Sequence, residues 1–414
     1  MNRITLLIAA FLAAAVHAQE ISYGSYMERV LSGNIALSAR KMDIEIAEAG
    51  VKGSKTYNDP TLAVTYTNSE DWDKKLGQGI EFELSRSFTF GVRRNRMDLA
   101  ESERKQAVVL LKEHMRNFRA DATIAYLEHL RARMLLQEAE EIHNELSSVA
   151  SNDSLRFRSG DIAESDWLES RMAQGMARNS LLDARTMVTN SAVKLAYYMG
   201  NIKGAVELRG TGTLETDEEV APIESYIEKA LAQRPDIVAA LARADIAGAR
   251  QKFNRALRRP NLDVKIGATY NRARPDFTTL KAGIAMPIKF SNLNKGARIM
   301  DELLVRQANV EIEEARLMVE ADVIQAYNEY RTASEQSRTF SSSMLDDMRS
   351  VVAGKKRAYE LGEISFHDFL IVERSENEMR KEHIETLFNK AVAWVELQRA
   401  TGFSMEFGTM PITE

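Results

Sequence analysis

The stretches "FRSGDIAESDWL" (157–168) and "YELGEISFHDFL" (359–370) carry one pattern twice, 202 positions apart. Aromatic, Gly, acidic residue, Ile, Asp, aromatic and Leu fall in the same order: Phe157/Tyr359, Gly160/Gly362, Asp161/Glu363, Ile162/Ile364, Asp166/Asp368, Trp167/Phe369 and Leu168/Leu370. The repetition extends outward. "YMERVLSGNIALSARKMDIEIAEAG" from Tyr26 matches "YIEKALAQRPDIVAALARADIAGAR" from Tyr226 at an offset of 200, as Pro60 matches Pro260. Gly200 in "AYYMG" matches Gly402 in "QRATG" at 202. Two copies over nearly the whole chain predict an internal duplication. The boundaries are a first repeat at 19–200, a joining segment at 201–223, a second repeat at 224–402 and a tail at 403–414.

Composition narrows the class. The chain has 414 residues, 44% apolar and 28% charged, so it reads neither as disordered nor as a bundle of membrane helices. The formal charge is −5, which is no footprint for nucleic acid. Cysteine is absent, which excludes disulfides, thiolate metal sites, Cys nucleophiles and an N-terminal lipid anchor on Cys. The start "MNRITLLIAAFLAAAVHAQE" has a basic n-region at Arg3, an apolar run from Ile4 to Val16, and small residues before a cut after Ala18. A membrane-spanning helix takes about 20 apolar residues. Residues 1–18 are therefore read as a secretory signal peptide. No later run of 18 apolar residues exists. The mature protein is then either soluble in the periplasm or enters an outer membrane as strands.

Proline placement separates helix from non-helix. The seven prolines stand at 60, 222, 235, 260, 275, 287 and 411, which leaves 88–221 and 288–410 almost free to be helical. The series Val108, Leu111, Met115, Phe118, Ala122, Ala125, His129, Ala132, Leu136, Ala139, His143, Leu146 steps by three and four, the spacing of a coiled coil. A helix over 91–147 would be ~85 Å long at ~1.5 Å per residue. Ordinary globular domains lack such helices; rods and tunnels have them.

Four segments alternate with period two: "TLAVTYT" (61–67), "GIEFELS" (79–85), "NLDVKIGATY" (261–270) and "AGIAMPIKF" (282–290). Leu62, Val64, Tyr66, Ile80, Phe82, Leu84, Leu262, Val264, Ile266, Ile284, Met286, Ile288 and Phe290 form the apolar set. Glu81, Glu83, Asp263 and Lys265 lie on the opposite faces. A half-buried soluble sheet is one reading. The signal sequence and the clean alternation favour a barrel with lipid outside and water inside. Four strands cannot close a membrane barrel, since the smallest have about eight, so the barrel must be shared between chains. Two chains would give a filled interior and three a lumen. Inward Glu81, Glu83, Asp263 and Lys265 prefer water and favour three. The joining loops are then 68–78 and 271–281, each polar with one aromatic, Trp72 and Phe277.

With these features the sequence resembles the TolC-type outer-membrane efflux proteins. The duplicated strand–strand–long-helix–helix plan, "RPDIVAALARADIAGAR" and the twice-used turn carry the resemblance. "FELSRSFTFGVRRNRMDLAESE" (82–103) and "AMPIKFSNLNKGARIMDE" (285–302) are similar to segments of its heavy-metal (CzcC/CusC-like) branch. The resemblance implies a mainly α, internally duplicated fold. A long α-helical coiled-coil barrel reaches into the periplasm, and four strands per chain join a trimeric twelve-stranded β-barrel in outer-membrane lipid. It implies no catalysis and no cofactor. The implied function is the passive exit duct of a tripartite pump, with a periplasmic adaptor (membrane fusion) protein and an inner-membrane pump of the resistance-nodulation-division type. The cargo would be metal ions or other small toxic solutes. The alternatives are a duct for drugs or secreted polypeptides and, in a different class, a soluble periplasmic scaffold or pump adaptor.

The family places two hairpin turns per chain at the periplasmic tip, where the tunnel narrows and the adaptor docks. Gly160, Gly362, Asp161 and Glu363 are thereby the docking candidates, while their sequence alone reads as helix ends with a left-handed glycine. Asp368 completes the capping box Ser365–Phe366–His367–Asp368; it also matches the family's constricting aspartate, three copies of which would ring the entrance and favour cations. Asp166 is its counterpart in the first repeat, and Tyr359 matches an aromatic of the closing network. The chain departs from the family at Ile371, where a second aspartate often stands, and at Ile364, where a basic residue is common. A metal site is not expected. His129 and His143 lie fourteen residues apart, ~21 Å along a helix, whereas ligands sit within about 2 Å of one ion. The 18 methionines read as gap-fillers. No G-x-S-x-G, H-E-x-x-H or phosphate-cradling glycine loop is present.

Overall fold

The computed structural model describes residues 19–70, 75–214, 220–272, 277–288, 295–340 and 342–402. The expected signal peptide, Trp72, Phe290 and the tail 403–414 lie outside the described residues. The element order repeats. Helices α1 (Tyr23–Gly33) and α2 (Ile35–Ser54) precede strands β2 (Thr61–Glu70) and β3 (Lys75–Phe88) and helices α3 (Val92–Ser159) and α4 (Glu164–Tyr198). After the joining segment come α5 (Ile223–Gln233), α6 (Pro235–Leu257), β5 (Leu262–Arg272), β6 (Phe277–Ala285), α7 (Lys295–Thr339), α8 (Ser342–Glu360) and α9 (Phe366–Thr401). Helix α5 sits at the position of α1 plus 200, and α9 begins at that of α4 plus 202. The fold is mainly helical with a small sheet, as the proline map and the alternating segments predict.

Two compact units share these elements, and each takes segments from both repeats. The first is built from the chain up to Ser38, His114–Gln233 and Val319 onward. Its core joins Tyr26, Val30, Tyr126, Leu127, Leu195, Leu214, Leu387 and Val395. The expected helical stripe faces inward here: Phe118, Ala122, Ala125, His129, Ala132, Ala139 and Leu146 are buried. The joining segment takes part in this core rather than looping past it. Its Leu208–Gly210 (β4) pairs in parallel with Gln19–Ile21 (β1). The Tyr126 hydroxyl lies 2.8 Å from the Ile21 carbonyl and 2.7 Å from that of Thr211. At the end of α4, Gly200 has φ of 77°, and a Cβ there would stand 2.3 Å from the Gly33 carbonyl. Both the left-handed backbone and the close approach require glycine.

The second unit comprises Ala39–Glu113 and Arg234–Met318. Its sheet has the order β2-β3-β5-β6, antiparallel throughout. The register aligns Leu62 with Leu84, Val64 with Phe82, Leu84 with Ile266 and Val264 with Ile284, so one face is a continuous apolar surface. Leu62, Val64, Phe82, Ile266 and Ile284 are all exposed on it. The other face holds Glu81, Glu83, Asp263 and Lys265, closed into pairs: Lys265 Nζ to Glu83 Oε1 at 2.9 Å, Lys281 Nζ to Glu81 Oε1 at 3.0 Å, and Ser87 to Asp263. No helix among the described residues is long and apolar enough to cross a membrane.

Strand limits differ from the sequence expectation. The strands expected at 61–67 and 79–85 run to Glu70 and from Lys75 to Phe88, and the fourth lies at Phe277–Ala285 rather than 282–290. Alternation marks the faces of a strand but not its ends, which pairing decides. Asn271 pairs with Phe277 and Asp263 with Ala285, drawing the strand back toward the hairpin. Beyond it Pro287 has no N–H for the ladder.

Candidate functional site

The repeated phrase forms the same local structure twice. In the first hairpin the Asp161 N–H donates to the Arg156 carbonyl at 2.8 Å, and that of Gly160 to Phe157 at 3.1 Å. In the second, Glu363 N–H donates to Ala358 at 2.9 Å and Gly362 N–H to Tyr359 at 3.0 Å. These are paired six-to-one and five-to-two bonds, the Schellman termination, which requires a left-handed residue. Gly160 and Gly362 supply it, with φ of 82° and 76°. The two aromatics of the phrase stack across each turn. Phe157 lies on Trp167 with centroids 4.8 Å apart and planes 4° apart, and Tyr359 on Phe369 at 5.9 Å and 10°. The order aromatic–Gly–acidic–Ile–Asp–aromatic thus describes a sharp reversal stapled by two rings. Asp161 and Glu363 sit exposed at the apices, with Asp161 accepting from Ser159 Oγ at 2.6 Å.

The two turns differ in how the following helix begins. Ser365 caps α9: its hydroxyl accepts the Asp368 N–H at 3.2 Å, and Asp368 Oδ2 accepts the Ser365 N–H at 3.3 Å and its hydroxyl at 2.7 Å. The Ser365 hydroxyl, then its N–H, holds the Asp368 carboxyl below its ordinary value, so Asp368 stays anionic and exposed. Ala163 stands at the same place before α4 and offers no side-chain cap. Asp166 is half-buried in the first turn of that helix. Ile371, where the family's second aspartate would be, is 51% exposed.

Tyr359 joins the two hairpins. Its hydroxyl donates to Asp153 Oδ1 on α3 at 2.7 Å, and both residues are buried. The Arg156 guanidinium lies over the Tyr359 ring, 5.3 Å from the centroid, and 3.9 Å from Asp153. Burial, then the hydrogen bond and charge of Asp153, push the Tyr359 hydroxyl well above the usual phenol range. Around this link Leu146 and Val149 of α3, Ala173 and Ala177 of α4, Val352 of α8 and Phe366, Phe369 and Leu370 of α9 form a separate apolar cluster. Further pairs strap α3 to α8 and α9: Lys356–Glu145 at 2.6 Å, Arg380–Glu138 at 3.1 Å, Arg131–Glu385 at 3.1 Å and Arg399–Asp121 at 3.0 Å. Asp153 and Arg156 escaped the sequence reading because nothing in their own spacing marks them. The bond needs Tyr at 359, and Phe157 in the first repeat has no hydroxyl to make its counterpart.

Among the described residues no three His, Cys, Asp or Glu side chains could hold a metal ion. His129 is buried and its Nδ1 lies 2.8 Å from Ser191 Oγ. Burial, with Arg133 nearby, lowers its pKa to about 4, so it remains a neutral core side chain. The region brings together stacked rings, left-handed glycine turns and exposed carboxylates.

The comparisons agree with this plan. The outer membrane efflux protein model matches residues 27–201 and 226–403, one copy on each repeat. The cobalt-zinc-cadmium resistance protein CzcC of Cupriavidus metallidurans is 21% identical over 376 residues, covering 89% of this chain and 87% of that protein. The solved structure of CusC superposes with a TM-score of 0.73 at 16% identity, covering 92% of both chains. That of the Campylobacter jejuni CmeC outer membrane channel gives 0.78 at 14% identity, covering 92% of this chain and 85% of that one. Two family matches across the duplicated plan leave no place for a soluble scaffold or pump adaptor: the chain belongs to the outer membrane efflux protein family.

Proposed function

We propose that the protein is a homotrimeric exit duct through which metal ions or other small toxic solutes leave the periplasm. The observation that carries this reading is the two-faced sheet. A broad apolar face exposed on one side and ion-paired Glu81, Glu83 and Lys265 on the other suit a strand set with lipid outside and water within. Four strands need partners to close, and three chains provide twelve. Residues 1–18 would direct export and be removed. The likeness to CzcC, a cobalt-zinc-cadmium resistance protein, supports a metal cargo.

In this reading the hairpin turns form the periplasmic entrance. Gly160, Gly362, Asp161 and Glu363 would meet an adaptor protein coupled to an inner-membrane pump of the resistance-nodulation-division type. Three copies of Asp368, kept ionised by Ser365, would favour cations there, with Asp166 contributing from the first hairpin and Tyr359 holding the hairpins in place. The test is membrane fractionation followed by native mass determination in detergent. An outer-membrane particle of three chains supports the duct. A monomer released by osmotic shock without detergent refutes it. Loss of cobalt, zinc or cadmium tolerance on deletion, with drug tolerance unchanged, would separate a metal duct from one for drugs.

A further inference from the structure

One buried acid in the hairpin region has no cation of its own. Glu373 lies on α9 seven residues beyond Phe366 and is 2% exposed. Its Oε1 accepts from Asn377 Nδ2 at 3.4 Å, while Oε2 is buried without a hydrogen-bond partner. From α3 it faces Glu145, and from its own helix Glu376. The neighbouring cations are committed elsewhere. Lys356 of α8 holds Glu145 at 2.6 Å, and Arg380 holds Glu376, Glu138 and Glu141. From α4 the adjoining cluster receives Ala173 and Ala177, which carry no charge. Burial, then Glu145 and Glu376, outweigh Asn377 and Lys356 and raise the Glu373 carboxyl to about 7.

We propose that Glu373 is a proton-operated catch for the C-terminal hairpin. Protonated, it lets α8 and α9 close on α3; ionised, it is buried against Glu145 of α3 with Glu376 beside it on α9, and the closed hairpin is disfavoured. The catch would make the opening of the entrance respond to periplasmic pH, a consequence that rests on reading the turns as that entrance. The sign follows from linkage. An opened hairpin returns Glu373 to an ordinary carboxyl value of about 4.3, whereas the closed one binds the proton more tightly. Closure is therefore most favoured below pH ~4.3, weakens as pH rises through about 7, and is weakest above. Between pH 5 and 8 the opening equilibrium should rise on the order of 50-fold.

Amide hydrogen exchange on the complete purified protein in detergent tests this, at pH 5 and pH 8 with correction for intrinsic exchange. In peptides spanning 352–380 the wild type should show the rise, and Glu373→Gln should reduce it to under about threefold. Glu145→Gln, which removes one facing charge, should move the midpoint to lower pH. An equal response in wild type and Glu373→Gln, no response in wild type, or an unmoved midpoint in Glu145→Gln would each overturn the catch. Conductance recorded on the same preparation keeps the two ideas apart. Flat exchange sinks the catch even if the protein conducts, and pH-dependent exchange without conductance sinks only the duct.

Discussion

Removing one oxygen at Tyr359 should unlatch the two hairpins from each other. Tyr359→Phe keeps the ring that packs on Phe366 and Phe369 and deletes only the hydroxyl that donates to Asp153 at 2.7 Å. A hydrogen bond to a charged acceptor contributes about 1.5–3 kcal/mol. Both partners are almost fully buried, and Asp153 would keep only Arg156, 3.9 Å away. A local cost of about 2 kcal/mol corresponds to an opening equilibrium on the order of 30-fold higher. The natural chain contains no cysteine, so a single Val352→Cys probe, buried in the same cluster, reports opening through its alkylation rate at fixed pH. The rate should rise about 30-fold when Tyr359→Phe is added, and Tyr197→Phe, 60% exposed on α4, should leave it unchanged. Asp153→Asn should raise the rate too, and the double variant should fall short of the sum. Strict additivity, or an unchanged rate in Tyr359→Phe, would refute the latch.

Three further outcomes follow from particular groups. His129 is depressed to about 4 in the fold against about 6.5 unfolded. Its contribution is complete above pH 6.5 and is lost as pH falls toward 4, by up to about 3 kcal/mol; acid unfolding of His129→Gln should lack that part of the slope. Val64→Lys or Ile284→Lys, on the apolar sheet face, should cost about 2–4 kcal/mol each at mid-bilayer and depress outer-membrane assembly, while Thr65→Lys on the opposite face should assemble; equal loss in all three would overturn the face assignment. Asp368→Asn should shift the reversal potential in a salt gradient away from cation preference by more than Asp166→Asn does, because Asp368 is the more exposed of the two and is held ionised. Identical potentials in wild type and Asp368→Asn would remove the aspartate ring.

The sequence by itself determined the duplicated plan, the helical stretches between prolines, the two faces of the strands, and the reversals at Gly160 and Gly362. These are local properties. A left-handed glycine, a capping box or an alternation of faces is specified by residues within a few positions of one another. Strand ends were less legible, because hydrogen bonding to the neighbouring strand, not alternation, decides where β6 begins and stops. The parallel pairing of residues 19–21 with 208–210 was not legible at all, since neither segment carries a strand pattern of its own. Tertiary structure alone decided that Tyr359 meets Asp153, 206 positions earlier, and that Glu373 faces Glu145. On a helix surface a carboxylate looks the same in sequence whether it meets water or a neighbouring helix. Its burial, and with it its charge state, is set by a partner some 200 residues away.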